Sequence, residues 1–420
     1  MLKRFIYLIM AAILLMPMAS CASKYDTGAD VSILIATDLH YISPSLTENE
    51  DLFRVAVDNA DGKVSHYSEE IVDAFVDEVI SRAPEVLILS GDLTFNGATK
   101  SHEDLVKKLK KISDAGIAVL TQPGNHDVNS TQAFTFSGEE LAYTEALSAS
   151  RFCELYADLG PNSAMSVDEH SFSYSYQTSG NLRIIMLDAN SEVKGAVSDK
   201  TLEWLESELK RAKKDKVDVI TVSHQNLYAH SPLLSFGYQL YNAAKVEELL
   251  FEYGVKCHLS GHIHVQSVLE NAESEITEIV TSSLPLGNIQ YGSVTYSKGE
   301  LSYTSEVLDV AAWAEKAGSD NPDLLGFGEY AVDYFKKNCY RQVQGAFAES
   351  DVTDGELKLL AETFAEINFA YFMGETVSSS DHESGIKLWH ELGASFFAGY
   401  IDSMMSVMGV ERRAVTVKLS

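Results

Sequence analysis

Cysteine is nearly absent from this chain. Its 420 residues hold 4 cysteines, and with Cys21 set aside only Cys153, Cys257 and Cys339 remain. An odd number without short spacing excludes a disulfide framework and a cysteine zinc site. Proline is scarce as well, at 8 residues, and together with 45% hydrophobic residues this argues for a chain that is globular throughout. No long apolar run is present: the one from Phe5 to Met18 falls short of the ~20 residues that a membrane-spanning helix needs. Positive charge is also in short supply. With 32 Lys and Arg against 61 Asp and Glu the formal charge is -29, which disfavours nucleic-acid polymers and anionic lipid surfaces as partners. A small anion is still accessible, because bound cations would dominate the field of a local site.

What is there begins with a leader. Lys3 and Arg4 precede the apolar run, and the small residues Ala19 and Ser20 lead into Cys21, the layout of a secretory signal. Met18-Ala19-Ser20-Cys21 resembles a bacterial lipobox, which implies a lipid on Cys21 and an extracytoplasmic protein anchored to the cell membrane. The chain divides into a signal peptide at 1–20, an anchor linker at 21–30, a main domain at 31–306 and a helical C-terminal domain at 307–420.

From Val31 onward short β-branched runs alternate with amphipathic stretches: strands at Val31–Thr37, Val86–Ser90, Ile117–Leu120, Leu182–Leu187, Val217–Val222 and Val255–Leu259, with helices at Tyr67–Ser81, His102–Asp114, Lys200–Lys213 and Asn242–Phe251. This predicts an α/β fold, a layered sandwich of sheets flanked by helices. Strands alone follow to Glu306 and close a sheet edge. Beyond Val307 the spacing is helical, at Leu325–Phe347, Thr353–Phe372 and Glu383–Met408, and predicts an all-helical domain. Its aromatic residues, Trp389 and Phe364 among them, follow a buried helix face and read as core.

Five short motifs occur in order: Asp38-Leu39-His40, Gly91-Asp92, Gly124-Asn125-His126-Asp127, His224 and Gly261-His262-Ile263-His264. Each follows a predicted strand, so that residues far apart in sequence converge on one sheet edge. Imidazole and carboxylate together suit Fe, Zn or Mn. Two cations sharing a carboxylate acidify a water and clamp the oxygens of a phosphoryl group. The glycines before Asp92, Asn125 and His262 allow tight turns and close backbone approach. With 26 Gly and 12 His, Gly-His-x-His arises by chance only about 0.02 times, so five motifs in order mark a site.

Through this ordered set the chain resembles the calcineurin-like metallophosphoesterases over Val31 to about Glu306. The resemblance implies two metal ions of Fe, Mn or Zn. Asp38, His40, Asp92 and His264 match the ligands of the first, and Asp92, Asn125, His224 and His262 those of the second, with Asp92 bridging. His126 matches the family's non-ligand histidine, which contacts phosphate and protonates the leaving oxygen, and Asp127 is placed to orient it. Phosphoprotein phosphatases carry Asp and Arg where Phe95 and Asn96 stand, and purple acid phosphatases carry a tyrosine ligand where Phe95 stands. What remains resembles the class III cyclic-nucleotide phosphodiesterase branch, closest to bacterial lipoprotein-type members with a helical C-terminal domain. Asn96 and His230 lie in loops from which a substrate contact is expected. The expected activity is hydrolysis of small phosphodiesters, cyclic nucleotides favoured, by a hydroxide shared between the cations. The alternatives are a phosphomonoesterase on nucleotides or sugar phosphates and, from another class, a non-catalytic metal-binding or adhesion lipoprotein; the presence of non-ligand His126 speaks against the last.

Overall fold

The computed structural model describes residues 28–58, 60–231, 233, 236–393 and 395–420, so the leader and Cys21 lie outside the described residues. In chain order the strands are β1 (Val31–Ala36), β2 (Val86–Leu89), β3 (Ala118–Thr121), β4 (Phe134–Thr135), β5 (Ala142–Tyr143), β6 (Ser166–Val167), β7 (Tyr174–Gln177) and β8 (Leu182–Leu187). They continue as β9 (Asp218–Ser223), β10 (Cys257–Ser260), β11 (Ser267–Asn271), β12 (Ile276–Val280), β13 (Gln290–Ser297), β14 (Glu300–Val307) and β15 (Ala414–Lys418). One sheet runs β15-β14-β13-β1-β2-β3 and the other β11-β12-β10-β9-β8-β7-β6, while β4 and β5 form a separate hairpin.

The inner strands β1, β2 and β3 are parallel to one another, as are β8, β9, β10 and β12. Their composition explains this: every residue of β2 (VLIL) and of β8 (LRIIML) is buried, and continuous apolar runs belong to strands covered on both faces. Helices Ser68–Arg82, Thr99–Asp114, Asp199–Asp215 and Ala243–Glu252 make the crossovers. Ser198 caps the third by accepting a hydrogen bond from the backbone N–H of Thr201. An isolated parallel bridge between Thr37 and Ser283 joins the two sheets just past the end of β1. The carboxyl ends of β1, β2, β9 and β10 therefore face a common edge.

The layered α/β sandwich and the helical C-terminal region are as expected, with three departures. Helices Glu50–Asp58 and Val310–Ala317 are not among the expected ones, although the first is amphipathic and has Glu50 and Asp51 in its first turn. The expected last helix is two, Glu383–Glu391 and Ser395–Val407, and between them Gly393 takes φ 67°, a conformation that ends helices. The region from 307 is not helical to its end, because β15 returns to pair antiparallel with β14. The alternating Ala414–Lys418 segment is short, and it is the open edge of β14 that makes it a strand.

The helical region shares its core with the main domain. Ile263, Val265, Val280 and Leu286 belong to the same buried apolar cluster as Phe335, Phe364, Tyr371 and Trp389. The backbone N–H of Gln266 donates to Phe372 at 2.8 Å, and the Gln290 side chain donates to the Met373 carbonyl at 3.3 Å.

His102, fully buried on helix Thr99–Asp114, lies 2.9 Å from the Tyr156 hydroxyl, and its Nε2 lies 3.0 Å from the Asp127 carbonyl. Burial pushes this imidazole down to about 3, with the Asp127 carbonyl pulling the other way. The unfolded chain takes up the proton near the ordinary value of 6.5, so this group's stability contribution is full above that pH and is lost as pH falls toward 3. Urea unfolding at pH 7 and pH 4.5 should show a loss about 2 kcal/mol smaller in His102→Gln than in the native chain, on the scale of 1.36 kcal/mol per unit. Equal losses would remove His102 as the source.

Candidate metal centre

The sheet edge gathers the motif side chains. Asp38 and His40 follow β1, Asp92 follows β2, His224 follows β9, and His262 and His264 follow β10. Five of these six take left-handed backbone: φ is 50° at Asp38, 43° at His40, 45° at Asp92, 67° at His262 and 63° at His264. Such conformations cost non-glycine residues on the order of 1–3 kcal/mol each and collect at functional sites. The preceding glycines are required by contact. A Cβ on Gly91 would stand 2.6 Å from the His224 ring, one on Gly261 would stand 2.6 Å from Asp38 Oδ2, and one on Gly124 would collide with Asp92 Oδ1.

Three groups of side chains each bring their nitrogen and oxygen atoms within 4.8 Å of one another: Asp38, His40 and His264; Asp92, His224 and His262; and His40, Asp92 and His126, which joins the first two. Asn125 completes the second, with Oδ1 at 3.1 Å from His224 Nε2, which also lies 3.3 Å from Asp92 Oδ1. In the first, His40 Nε2 and His264 Nε2 face each other at 3.2 Å, and buried Asp38 Oδ1 has no hydrogen-bond donor. Converging imidazole nitrogens and an undonated buried carboxylate oxygen fit cations better than a proton network. Carboxylate, imidazole and amide together form the donor set of a two-cation site.

The rings are held from outside. His224 Nδ1 donates to the Ser90 carbonyl at 3.1 Å and His262 Nε2 to the Gly237 carbonyl at 2.9 Å. His126 Nδ1 donates to the Phe95 carbonyl at 3.0 Å, and His264 Nδ1 lies 3.3 Å from Asp61 Oδ2. Each bond leaves the other ring nitrogen for the interior of the site. Burial lowers the His262 imidazole to about 4, with the His224 charge acting the same way. Burial would lower His224 too, but the Asp92 carboxylate raises it to about 9.

The structure places three of the expected residues differently. Asp127 does not reach the His126 ring. Its Oδ1 accepts from the N–H and hydroxyl of Thr94 and its Oδ2 from the N–H groups of Leu93 and Gly124, bracing the two ligand-bearing turns against each other. Burial, added to by the Asp92 charge, pushes its carboxyl up to about 6. His230 is buried, with Nδ1 2.9 Å from Ser267 Oγ and Nε2 2.9 Å from Glu278 Oε2; both ring nitrogens are engaged, so it is a structural group and not a substrate contact. Asn96 donates to the Phe134 carbonyl and accepts from the Ala98 N–H, a loop brace. Asp61 belongs to none of the five motifs. It lies in a loop that follows no strand, and its only signal in sequence is the neighbouring Lys63, whose Nζ lies 3.0 Å away.

The chain matches the family model for calcineurin-like phosphoesterases over residues 31–266. It matches the model for the C-terminal domain of cyclic nucleotide phosphodiesterase over residues 309–407. No curated protein matches it. Among solved structures, a dimetal phosphatase from Danio rerio is similar at 13% identity and TM-score 0.51, covering 66% of this chain and 96% of that one. A purple acid phosphatase from yellow lupin seeds shows 12% identity and TM-score 0.40, covering 68% of this chain and 53% of that one. At such identity the Danio rerio likeness speaks for the fold alone.

The glycine contacts lead to a direct check. Gly124→Ala and Gly261→Ala should each bind less metal, by atomic emission on purified protein, and lose about 1–3 kcal/mol of stability from displaced buried neighbours. Native metal content in both variants would show that the turns relax freely.

Proposed function

Because the chain belongs to the calcineurin-like phosphoesterase family, we propose that it hydrolyses small phosphodiesters, cyclic nucleotides foremost, at the site built around Asp92. The enzyme is a metal-dependent phosphoric ester hydrolase. The observation that carries the proposal is the sharing of Asp92 between the His224–His262 group and the group that reaches His40. Preference for diesters is supported by the match of residues 309–407 to the C-terminal domain of cyclic nucleotide phosphodiesterase.

In this reading Asp38, His40, Asp92 and His264 hold one cation and Asp92, Asn125, His224 and His262 the other, each being Fe, Mn or Zn. When bound, the pair supplies an acidified water and neutralises the phosphoryl oxygens. The chain's own groups do the rest. The Ser90 and Gly237 carbonyls fix the His224 and His262 tautomers so that a lone pair points inward. His126, 35% exposed, has Nε2 3.9 Å from Asp92 Oδ2, so it borders the cluster while remaining open to an incoming ester. The Phe95 carbonyl accepts the Nδ1 proton in either charge state, and the proton that is given to the departing alkoxide therefore sits on Nε2. The leader supports an extracytoplasmic, lipid-anchored site of action through Cys21.

Reconstituted with Mn or with Fe plus Zn, the chain should turn over cyclic nucleotides faster than matched monoesters. His126→Ala should keep its metals and lose about 10²–10⁴-fold in kcat. A preference for monoesters would replace the diester reading with a phosphatase, and metal loss in His126→Ala would make His126 a ligand. Asp61→Ala should bind metal about 10–100-fold more weakly, with Asp61→Glu restoring part of the loss, as expected of a carboxylate that orients a ligating imidazole. Unchanged affinity would leave His264 oriented by its turn alone.

A further inference from the structure

A row of three buried polar side chains crosses the sheet that contains β9, β10 and β12. Thr221 on β9, His258 on β10 and Glu278 on β12 are neighbours in register, so their side chains stand on one face. All three are fully buried, and none belongs to the five motifs. Strand β9 leads directly into His224, and β10 into Gly261-His262. We propose that Glu278 is a positioning residue for the cation assigned to Asp92, Asn125, His224 and His262, a role that presupposes the two-cation site and gives this buried carboxylate a part in building it.

Glu278 grips both ligand-bearing segments. Its Oε1 accepts from the Leu227 N–H at 2.7 Å and from the Ser260 hydroxyl at 2.6 Å. Its Oε2 accepts from the Tyr228 N–H at 2.7 Å and from His230 Nε2 at 2.9 Å. One carboxylate thus joins the segment that follows His224 to the end of β10, from which His262 departs. The two segments are also bonded directly. Asn226 Nδ2 donates to Ser260 Oγ at 3.0 Å and to the Gly261 carbonyl at 2.9 Å, and the Gly261 N–H donates to the His224 carbonyl at 3.1 Å.

His258 secures the same turn from below. Its Nδ1 accepts from the Thr221 hydroxyl at 2.8 Å and its Nε2 donates to Ser223 Oγ at 2.9 Å, while the Ser223 hydroxyl donates to the Gln225 carbonyl at 2.6 Å. Ser223 and Gln225 flank His224, so that residue is held through both neighbours while its Nε2 lies 3.3 Å from Asp92.

The role requires a carboxylate. Burial would raise Glu278, but His230 beside it brings it below the ordinary value, so an anion meets the converging donors. Glutamine has the same shape with one oxygen replaced by NH₂. The Ser260 hydroxyl can turn and the His230 imidazole can change tautomer, but a main-chain N–H can only donate. In either orientation the amide would set its NH₂ against the N–H of Leu227 or of Tyr228. That buried donor loses its partner, and the segment after His224 has to shift to recover one.

Manganese titration of the metal-free full chain, followed by electron paramagnetic resonance, tests this without any ester. The native chain should take up two ions, which checks the two-cation reading itself; a native chain that binds none would overturn that reading and this role with it. Glu278→Gln should weaken one ion about tenfold, and it should be the ion that Asp61→Ala leaves untouched. Ser260→Ala, which removes one bond and strands no main-chain donor, should weaken the same ion about threefold. Glu208→Gln controls for the loss of a buried carboxylate: Glu208 is buried and accepts from the Ser175 hydroxyl at 2.8 Å, and this variant should unfold at a lower temperature yet bind both ions as the native chain does. Unchanged affinity in Glu278→Gln and Ser260→Ala, equal weakening of both ions, or the same selective loss in Glu208→Gln would each overturn the role of Glu278 while the two native ions, and the hydrolytic reading with them, remain.

Discussion

Two carboxylates that must stay ionised while buried in one site impose most of the surrounding structure. Asp38 and Asp92 are 0% and 1% exposed. Burial alone would raise both, and the Asp92 charge also raises Asp38. At Asp38 the imidazoles of His264 and His224 act against burial, and at Asp92 that of His224 does so first, which holds both below the ordinary carboxylate range. Donors supply the rest: the N–H of His262 and the Thr37 hydroxyl reach Asp38 Oδ2, and the N–H of His126 reaches Asp92 Oδ1. Left-handed backbone at five motif residues is the means by which three strand ends, those of β1, β2 and β10, aim into one small volume. Strain of this kind persists only where the scaffold over-determines it, and the fully buried strands β2 and β8 are that scaffold.

The helical region belongs to the same constraint. Ile263 lies between His262 and His264 in sequence, and it is buried among Phe335, Phe364 and Trp389 of the helices. Two residues further on, Gln266 is tied to the end of helix Asp354–Phe372 and to the Arg412 carbonyl. Arg412 is itself buried, and its guanidinium donates to the carbonyls of Tyr371 and Glu375, closing that helix end. The turn that presents two imidazoles thus has its outer side packed in the helical core, which makes the helices part of the construction of the centre.

The same mechanics explain what could be read in the sequence. Asp38, His40, Asp92, Asn125, His224, His262 and His264 come from short segments directly after strands, so local pattern was enough to bring them together. Asp61 is not of that kind, and the carbonyls of Ser90, Phe95 and Gly237 are backbone groups that no residue type announces. His230 misled for the converse reason. A histidine six residues past His224 carries the signal of a substrate contact, whereas its partner Glu278 is on β12, 48 residues away. Only the parallel pairing of β10 with β12 brings that carboxylate under the loop, where it also accepts from the N–H groups of Leu227 and Tyr228. Asp127 resembles a catalytic partner because it adjoins His126, yet its four accepted hydrogen bonds point it away from that ring.

The outward bonds of the imidazoles decide between two accounts of the cluster. A self-contained hydrogen-bond network needs a proton between facing nitrogens, and neutral imidazole has one proton to place. His224, His262 and His264 each place it outside, on the Ser90 carbonyl, the Gly237 carbonyl and the Asp61 carboxylate. Their inner nitrogens face Asp92, Asp38 and one another: without cations the carboxylates raise His224 to about 9 and raise His264 as well, and with cations among them the same nitrogens would serve as ligands. His126 shares the outward bond but not the burial. Its side chain is 35% exposed, the accessibility that the general-acid role proposed for it requires and that a metal ligand does not need.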